Sequence, residues 1–186
     1  MPRYLPVQVD AATEDVKRVY SRLEQNVGVV PNFIKTLAHS GNFLESLADF
    51  YSSLMGETSL SERLRQLVIL KTCKLQRCQY TILHHTELAR QAGLSEEQIE
   101  ALEDYSASDL LSYYEKEVLR LAEQVTLAPD EIQDDFWTQL DNHFTSDQIV
   151  ELVTLISSFN LINRLILTLK IDPDPLPNIS EIHTVG

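Results

Sequence analysis

Cysteine is almost missing from this chain: Cys73 and Cys78 are the only two among 186 residues. A secreted fold stapled by disulfides is thereby excluded, and a reducing compartment is expected. Glycine (5) and proline (7) are scarce as well, which removes collagen-like and low-complexity chains, and 44% apolar against 23% charged residues removes a wholly disordered one. Basic residues are outnumbered, 15 Lys and Arg to 28 Asp and Glu, for a formal charge of −13. Such a field repels phosphate backbones and anionic headgroups, so neither nucleic acid nor a membrane surface is an expected partner. Residues 1–6 lack the apolar run of a signal peptide, so the expected location is the cytoplasm. The most apolar stretch, 149–171, is interrupted by Glu151, Asn160, Asn163 and Arg164 and reads as a buried core helix, not a span. Strand-like alternation is absent over any useful length, and no internal repeat or interdomain linker stands out.

What is present is helix punctuation from end to end, and the expected fold class is all-α. Asp10 as cap, followed by Val16, Val19, Tyr20 and Leu23, predicts a first helix over 11–26, stopped by Gly28. Pro31 opens a short segment to His39, and Phe43, Leu47, Phe50 and Leu54 mark the apolar face of the next helix, which Gly56 ends. Capping boxes are legible at Ser59 with Glu62, Ser95 with Gln98 and Thr145 with Gln148. With Gly93 as a stop and Pro129 as a first helical residue, they predict helices after Ser59 and over 78–93, 96–103, 109–127, 129–142 and 146–170. Residues 1–171 are expected to form one helical domain. Residues 172–186, with Pro173, Pro175 and Pro177, are expected to form an extended arm over the surface or over a neighbouring subunit. Within the last helix Asn160, Asn163 and Arg164 need partners, because an unsatisfied buried amide costs about 1–3 kcal/mol and a charge more. Amide bonds between helices and a carboxylate for Arg164 are the expected solution, with Ser157 and Ser158 as small packing residues.

Both cysteines and two of the five histidines fall between Cys73 and His85. A sulfur at the start of a helix at Cys78 would sit beside unpaired amides and the positive end of the macrodipole, which favour thiolate. His85 follows after about 700° of helix, on the same face but roughly 10 Å along the axis, so a relay between the two needs a bridging group. Thr81, one turn from Cys78, can donate to a thiolate but offers no sulfur. His84 points about 100° away from His85 and reads as a surface or interface residue. The two histidines diverge and no carboxylate stands at metal-ligand spacing, so no metal and no other cofactor is expected.

The runs Leu60-Ser-Glu-Arg-Leu-Arg-Gln-Leu-Val-Ile-Leu, Cys78-Gln-Tyr-Thr-Ile-Leu-His-His-Thr-Glu-Leu-Ala-Arg and Gln91-Ala-Gly-Leu-Ser-Glu-Glu-Gln-Ile resemble the carboxymuconolactone decarboxylase family, which includes the alkylhydroperoxidase D-like proteins. The similarity extends to Val30-Pro-Asn-Phe-Ile upstream and Phe159-Asn-Leu-Ile-Asn-Arg downstream. The resemblance implies a multi-helix orthogonal bundle that assembles into homo-oligomers, trimers or hexamers, with the motif helix near a subunit interface. In the peroxidase-related branch a Glu, a Cys-x-x-Cys and a His four residues later reduce peroxide through a dithiol. Here the first Cys falls on Cys78, the aromatic on Tyr80 and the His on His85, whereas the second Cys is Thr81 and the Glu is Gln66. Glu62, one turn from Gln66, is a candidate to compensate.

The resemblance therefore implies a peroxidase-related antioxidant protein in which Cys78 is a one-cysteine nucleophile. Peroxide would oxidise it to sulfenic acid, His85 would relay the proton through Gln66 or water, and an external thiol would reduce it. Cys73 is a candidate displaced resolving thiol, if geometry allows. Two alternatives stand beside this: a lyase or isomerase acting on a small carboxylated, lactone-like metabolite, with His85 as acid or base and Arg63, Arg65 and His84 as cationic groups, and a non-catalytic oligomer that has lost the dithiol.

Overall fold

In the computed structural model, which describes residues 1–174, the punctuation resolves into nine α-helices and, among the described residues, no strand. They are α1 (Glu14–Val27), α2 (Asn32–Leu37), α3 (Gly41–Met55), α4 (Glu62–Leu75), α5 (Gln79–Gln91), α6 (Glu96–Glu100), α7 (Tyr113–Leu127), α8 (Asp134–Asp141) and α9 (Ser146–Leu169). The class is all-α. Two expected capping boxes form as read, Ser95 with Gln98 on α6 and Thr145 with Gln148 on α9, and a third, Ser112 with Glu115, starts α7 at Tyr113, four residues after the expected boundary. Gly28 ends α1 in the left-handed region at φ 82, where a side chain would be strained.

Other signals are reassigned. Thr13, not Asp10, caps α1. The box expected at Ser59 does not form: the Glu151 carboxylate on α9 takes both the Ser59 amide and hydroxyl, at 3.0 and 2.7 Å to Oε2, and Ser61 caps α4. Pro129 lies in a loop ahead of α8. On α3 the buried positions are Leu44, Ala48 and Tyr51, one residue around from the expected stripe, while Phe43 and Phe50 face out.

α4 is the axis of the fold. It packs against α5, α7 and α9, and every residue from Arg65 to Cys73 is buried. Around it lie three apolar clusters: one joins α1, α2 and α3 to the end of α9, one joins α4, α7, α8 and the start of α9, and one fills the space between α4, α6 and α7. Fully buried leucines and phenylalanines of this kind contribute about 1.5–3 kcal/mol each. α9 is long and apolar enough to cross a membrane, but its buried face belongs to these clusters and carries Asn160 and Asn163 inward. Both amides are partnered as expected: Asn160 bonds Gln76 at 2.7 Å and Thr126 at 3.1 Å, and Asn163 accepts from Thr81 at 2.7 Å. Arg164 and Ser157, by contrast, are exposed, so the carboxylate partner expected inside the core for Arg164 is not needed. Of the expected arm, residues 172–174 are extended along α2, and Pro175 and Pro177 lie outside the described residues.

Candidate functional site

The turn between α4 and α5 is a Schellman motif built without glycine. Arg77 takes the left-handed conformation at φ 55, its N–H reaches Lys74 O at 3.0 Å, and the Cys78 N–H reaches Cys73 O at 3.1 Å. Cys78 thus crowns α5 as its N-cap. Its side chain, however, is fully buried in the cluster formed with α1–α3, and among the described residues no hydrogen bond joins Cys78 Sγ to His85. Cys73 is equally buried. It receives the Asn163 amide at 3.5 Å, and burial pushes its thiol up to about 12, with the Thr81 and Asn163 hydrogen bonds pulling the other way.

His85 looks in a different direction. Its Nδ1 lies 2.9 Å from Gln66 Oε1, and Gln66 Nε2 donates to Glu62 Oε1 at 2.6 Å. An ionised carboxylate only accepts, so Gln66 must turn its NH₂ to Glu62 and its carbonyl to His85. The imidazole must then carry its proton on Nδ1 and leave Nε2 as a bare lone pair. Burial holds the His85 pKa well below the ordinary histidine value, reinforced by His84 and Arg65, so the ring is neutral at physiological pH. Phe159 and His84 fix its plane edge-on, with centroids at 4.9 and 5.3 Å. Gln66 and Glu62, on successive turns of α4, thus form a hydrogen-bonded chain from the half-exposed Glu62 carboxylate to the imidazole.

His85 borders a cavity of about 460 Å³. Thr81 and Tyr80 from α5, Phe33 from α2 and Tyr51 from α3 line it, and so does Asp174 from the C-terminal strap. Cys73 and Cys78 do not. Thr81 takes the second-cysteine position, and its hydroxyl donates to Asn163 Oδ1 at 2.7 Å and to Cys78 O at 3.1 Å. Tyr80 donates to an Asp174 oxygen, and burial together with that carboxylate keeps its phenol protonated. His84, expected as a surface or interface residue, also borders the cavity, and burial lowers its pKa, with Asp174 opposing.

The expected site residues therefore separate into two groups. Tyr80, Thr81 and His85 line one cavity, with the buried Gln66 behind His85 as its hydrogen-bond partner, whereas Cys78 stands apart from the cavity in hydrocarbon. The cationic groups expected for an acidic substrate are not at hand: Arg63 bonds Glu115 at 2.6 Å, Arg65 bonds Glu62 and the carbonyls of Leu54 and Gly56, and both histidines are held neutral. Asp174 and Tyr51 were not foreseen. Tyr51 had a legible signal, because Leu44, Ala48 and Tyr51 repeat at helical spacing as well as the stripe preferred for α3. Asp174 had none. Among the described residues, no group of three or more His, Cys, Asp or Glu side chains is placed to hold a metal.

The profile of the carboxymuconolactone decarboxylase family matches residues 41–124, the stretch from α3 to α7 that contains the Gln66, Thr81 and His85 positions. The uncharacterized protein YdfG of Bacillus subtilis (strain 168) is 30% identical over 110 residues, covering 59% of this chain and 75% of that protein. Among solved structures, a peroxidase-related protein of Ralstonia eutropha JMP134 with the alkylhydroperoxidase AhpD core superposes at a TM-score of 0.78 and 22% identity, over 93% of this chain and 92% of that one. The debrominase Bmp8 superposes at 0.76 and 17% identity over 91% of each chain, so one architecture is shared by proteins described through different chemistries. By its sequence and its helical architecture, the chain belongs to the carboxymuconolactone decarboxylase family.

Proposed function

We propose that this chain is an acid–base enzyme of the lyase or isomerase type, with His85 as its proton-transferring group and a small molecule in the cavity as its substrate. One observation carries the reading: a neutral imidazole with its tautomer set by Gln66 borders a cavity of about 460 Å³ that neither thiol lines. In the reaction His85 Nε2 takes a proton from the substrate. The Nδ1–H bond to Gln66 Oε1 strengthens as the imidazolium forms, with the Glu62 carboxylate polarising the amide from its far side. The proton then returns to a different substrate atom, leaving the histidine unchanged. Gln66 and Glu62 position and polarise the ring; an amide does not itself pass the proton on.

The second reading is peroxide reduction by Cys78 with His85 as relay and an external thiol as reductant. Its support is the N-cap position of Cys78 and the fold shared with peroxidase-related proteins; the burial of the sulfur away from the cavity weighs against it. Wild type, His85→Gln and Cys78→Ser, assayed for solvent deuterium uptake into a panel of small cyclic carbonyl compounds and for cumene hydroperoxide consumption with dithiothreitol, separate the two. The acid–base reading expects deuterium uptake that drops about 10²–10⁴-fold in His85→Gln and is untouched in Cys78→Ser. Peroxide turnover lost only in Cys78→Ser would overturn it. We further propose that copies associate, with Phe43, Val150 and Leu161 as exposed apolar contacts; a monomeric mass by light scattering would dispose of that.

A further inference from the structure

The polar atoms facing the cavity are predominantly acceptors. Tyr80 gives its hydroxyl proton to Asp174 and its oxygen takes the Phe33 backbone N–H, so it has no proton to offer a ligand. Thr81 has its proton committed to Asn163 and to Cys78 O. His85 has its proton on Nδ1, against Gln66. Asp174 Oδ1 accepts from the Asn32 N–H at 2.7 Å, and each carboxylate oxygen retains a further lone pair. The Tyr51 hydroxyl, which has no hydrogen-bond partner among the described residues, and one ring nitrogen of the neutral His84 are the side-chain donors that remain among the described lining residues. Among the described residues, no Lys or Arg lines the space. Between these groups the wall is apolar: Phe33, Phe159 and Ile162.

Asp174 holds this position from 142 residues away in the chain. Asn32 Nδ2 also reaches back to the carbonyls of Asp172 and Pro173, at 3.3 and 3.4 Å, so three successive strap residues are anchored on Asn32. A ligand carboxylate entering the cavity would meet a like charge, with no Lys or Arg among the described lining residues to offset it. A ligand N–H or O–H would meet lone pairs that otherwise go without a donor.

We propose that Asp174 is a specificity-determining residue of this cavity: it admits small, uncharged ring compounds bearing an N–H or O–H donor and rejects carboxylates and other anions. This rests on the cavity being the substrate site, as argued above, but not on the chemistry assigned to His85. It also departs from the carboxylated lactone that family resemblance alone implies.

The test compares phenol with benzoate at pH 7.5 on the full chain, following the imidazole resonances of His84 and His85. The wild type binds phenol about tenfold or more tighter than benzoate. In Asp174→Asn, which keeps the shape and removes the charge, that preference falls by about tenfold or more. Should Asp174→Asn fail to fold, Tyr80→Phe serves in its place: it retains the carboxylate and deprives it of one donor, so benzoate remains excluded at least as strongly as in the wild type. A wild type that binds both probes equally, or an Asp174→Asn variant with an unchanged preference, overturns the assignment of Asp174 alone. Failure of both probes to shift either histidine overturns the assignment together with the cavity as a ligand site, whereas binding with the expected preference and no effect of His85→Gln on turnover removes only the acid–base reading.

Discussion

Gln66→Leu tests the geometry at its most exposed point. The residue is fully buried and makes two side-chain bonds, one donated to Glu62 at 2.6 Å and one accepted from His85 at 2.9 Å. Leucine fills a similar volume and offers neither. Glu62 is half exposed and keeps its Arg65 partner at 2.9 Å, so its loss is small. His85 is fully enclosed, and its Nδ1–H is left without an acceptor, an omission that costs about 1–3 kcal/mol. The buried leucine side chain recovers part of this, leaving a net destabilisation of about 1–2 kcal/mol. For a chain of this length that lowers the melting temperature by about 2–8 °C. A change of that size has many possible causes, so the decisive assay is a long-range ¹H–¹⁵N correlation spectrum of the histidine rings. Wild-type His85 must show a protonated Nδ1 and a bare Nε2, and in Gln66→Leu the proton must redistribute toward Nε2. A wild type protonated on Nε2, or a variant whose His85 pattern and melting temperature match the wild type, would refute the reasoning about Glu62, Gln66 and His85 together.

Cys73, with its thiol pushed up to about 12, carries a thiolate fraction of only about 10⁻⁴ at pH 8; iodoacetamide should label it at least about a thousandfold more slowly in the native protein than in urea, and fast native labelling would contradict its environment. His85 binds a proton only well below the ordinary value, chiefly because of burial, while the unfolded chain takes one near pH ~6.5. Below that pH the unfolded state holds more protons, so stability should fall by up to about 1.4 kcal/mol per pH unit on this account, and His85→Gln should remove that share of the slope of urea midpoint against pH while His84 keeps its own; an unchanged slope counts against a buried neutral imidazole. Ser112→Ala and Thr145→Ala each remove the side-chain half of a capping box and should cost about 1 kcal/mol apiece, with the double variant losing the sum within about 0.5 kcal/mol in equilibrium unfolding.

The helices were legible wherever the signal was local. Ser95 with Gln98 and Thr145 with Gln148 satisfy donors within four residues of chain, and nothing distant competes for them. Ser59 shows the opposite: its hydroxyl and amide are claimed by Glu151, 92 residues away, a charge-assisted pairing that no local pattern announces. The face of α3 was misjudged because two stripes one residue apart are equally periodic, and only the position of α2, through the Phe33 ring 5.1 Å from Tyr51, decides between them. The same division holds at the candidate site. Gln66, Thr81 and His85 were found by resemblance along α4 and α5, but the bond between Gln66 and His85 is tertiary, as is the packing that removes Cys78 from the cavity. Asp174 sits in a proline-flanked tail with no periodicity, and its role exists only because the tail returns to α2.

From Arg65 to Cys73, helix α4 has no outside. A solvent-facing position tolerates drift; here every replacement must open a void, crowd a neighbour or strand a polar atom, so about two and a half turns of the chain are closed to neutral variation. Gln66 is locked within them. Evolutionary or engineered change in what this protein accepts has to enter through surfaces with one wet side, namely α3, the outer face of α5 and the strap that carries Asp174, while the support beneath the imidazole stays as it is.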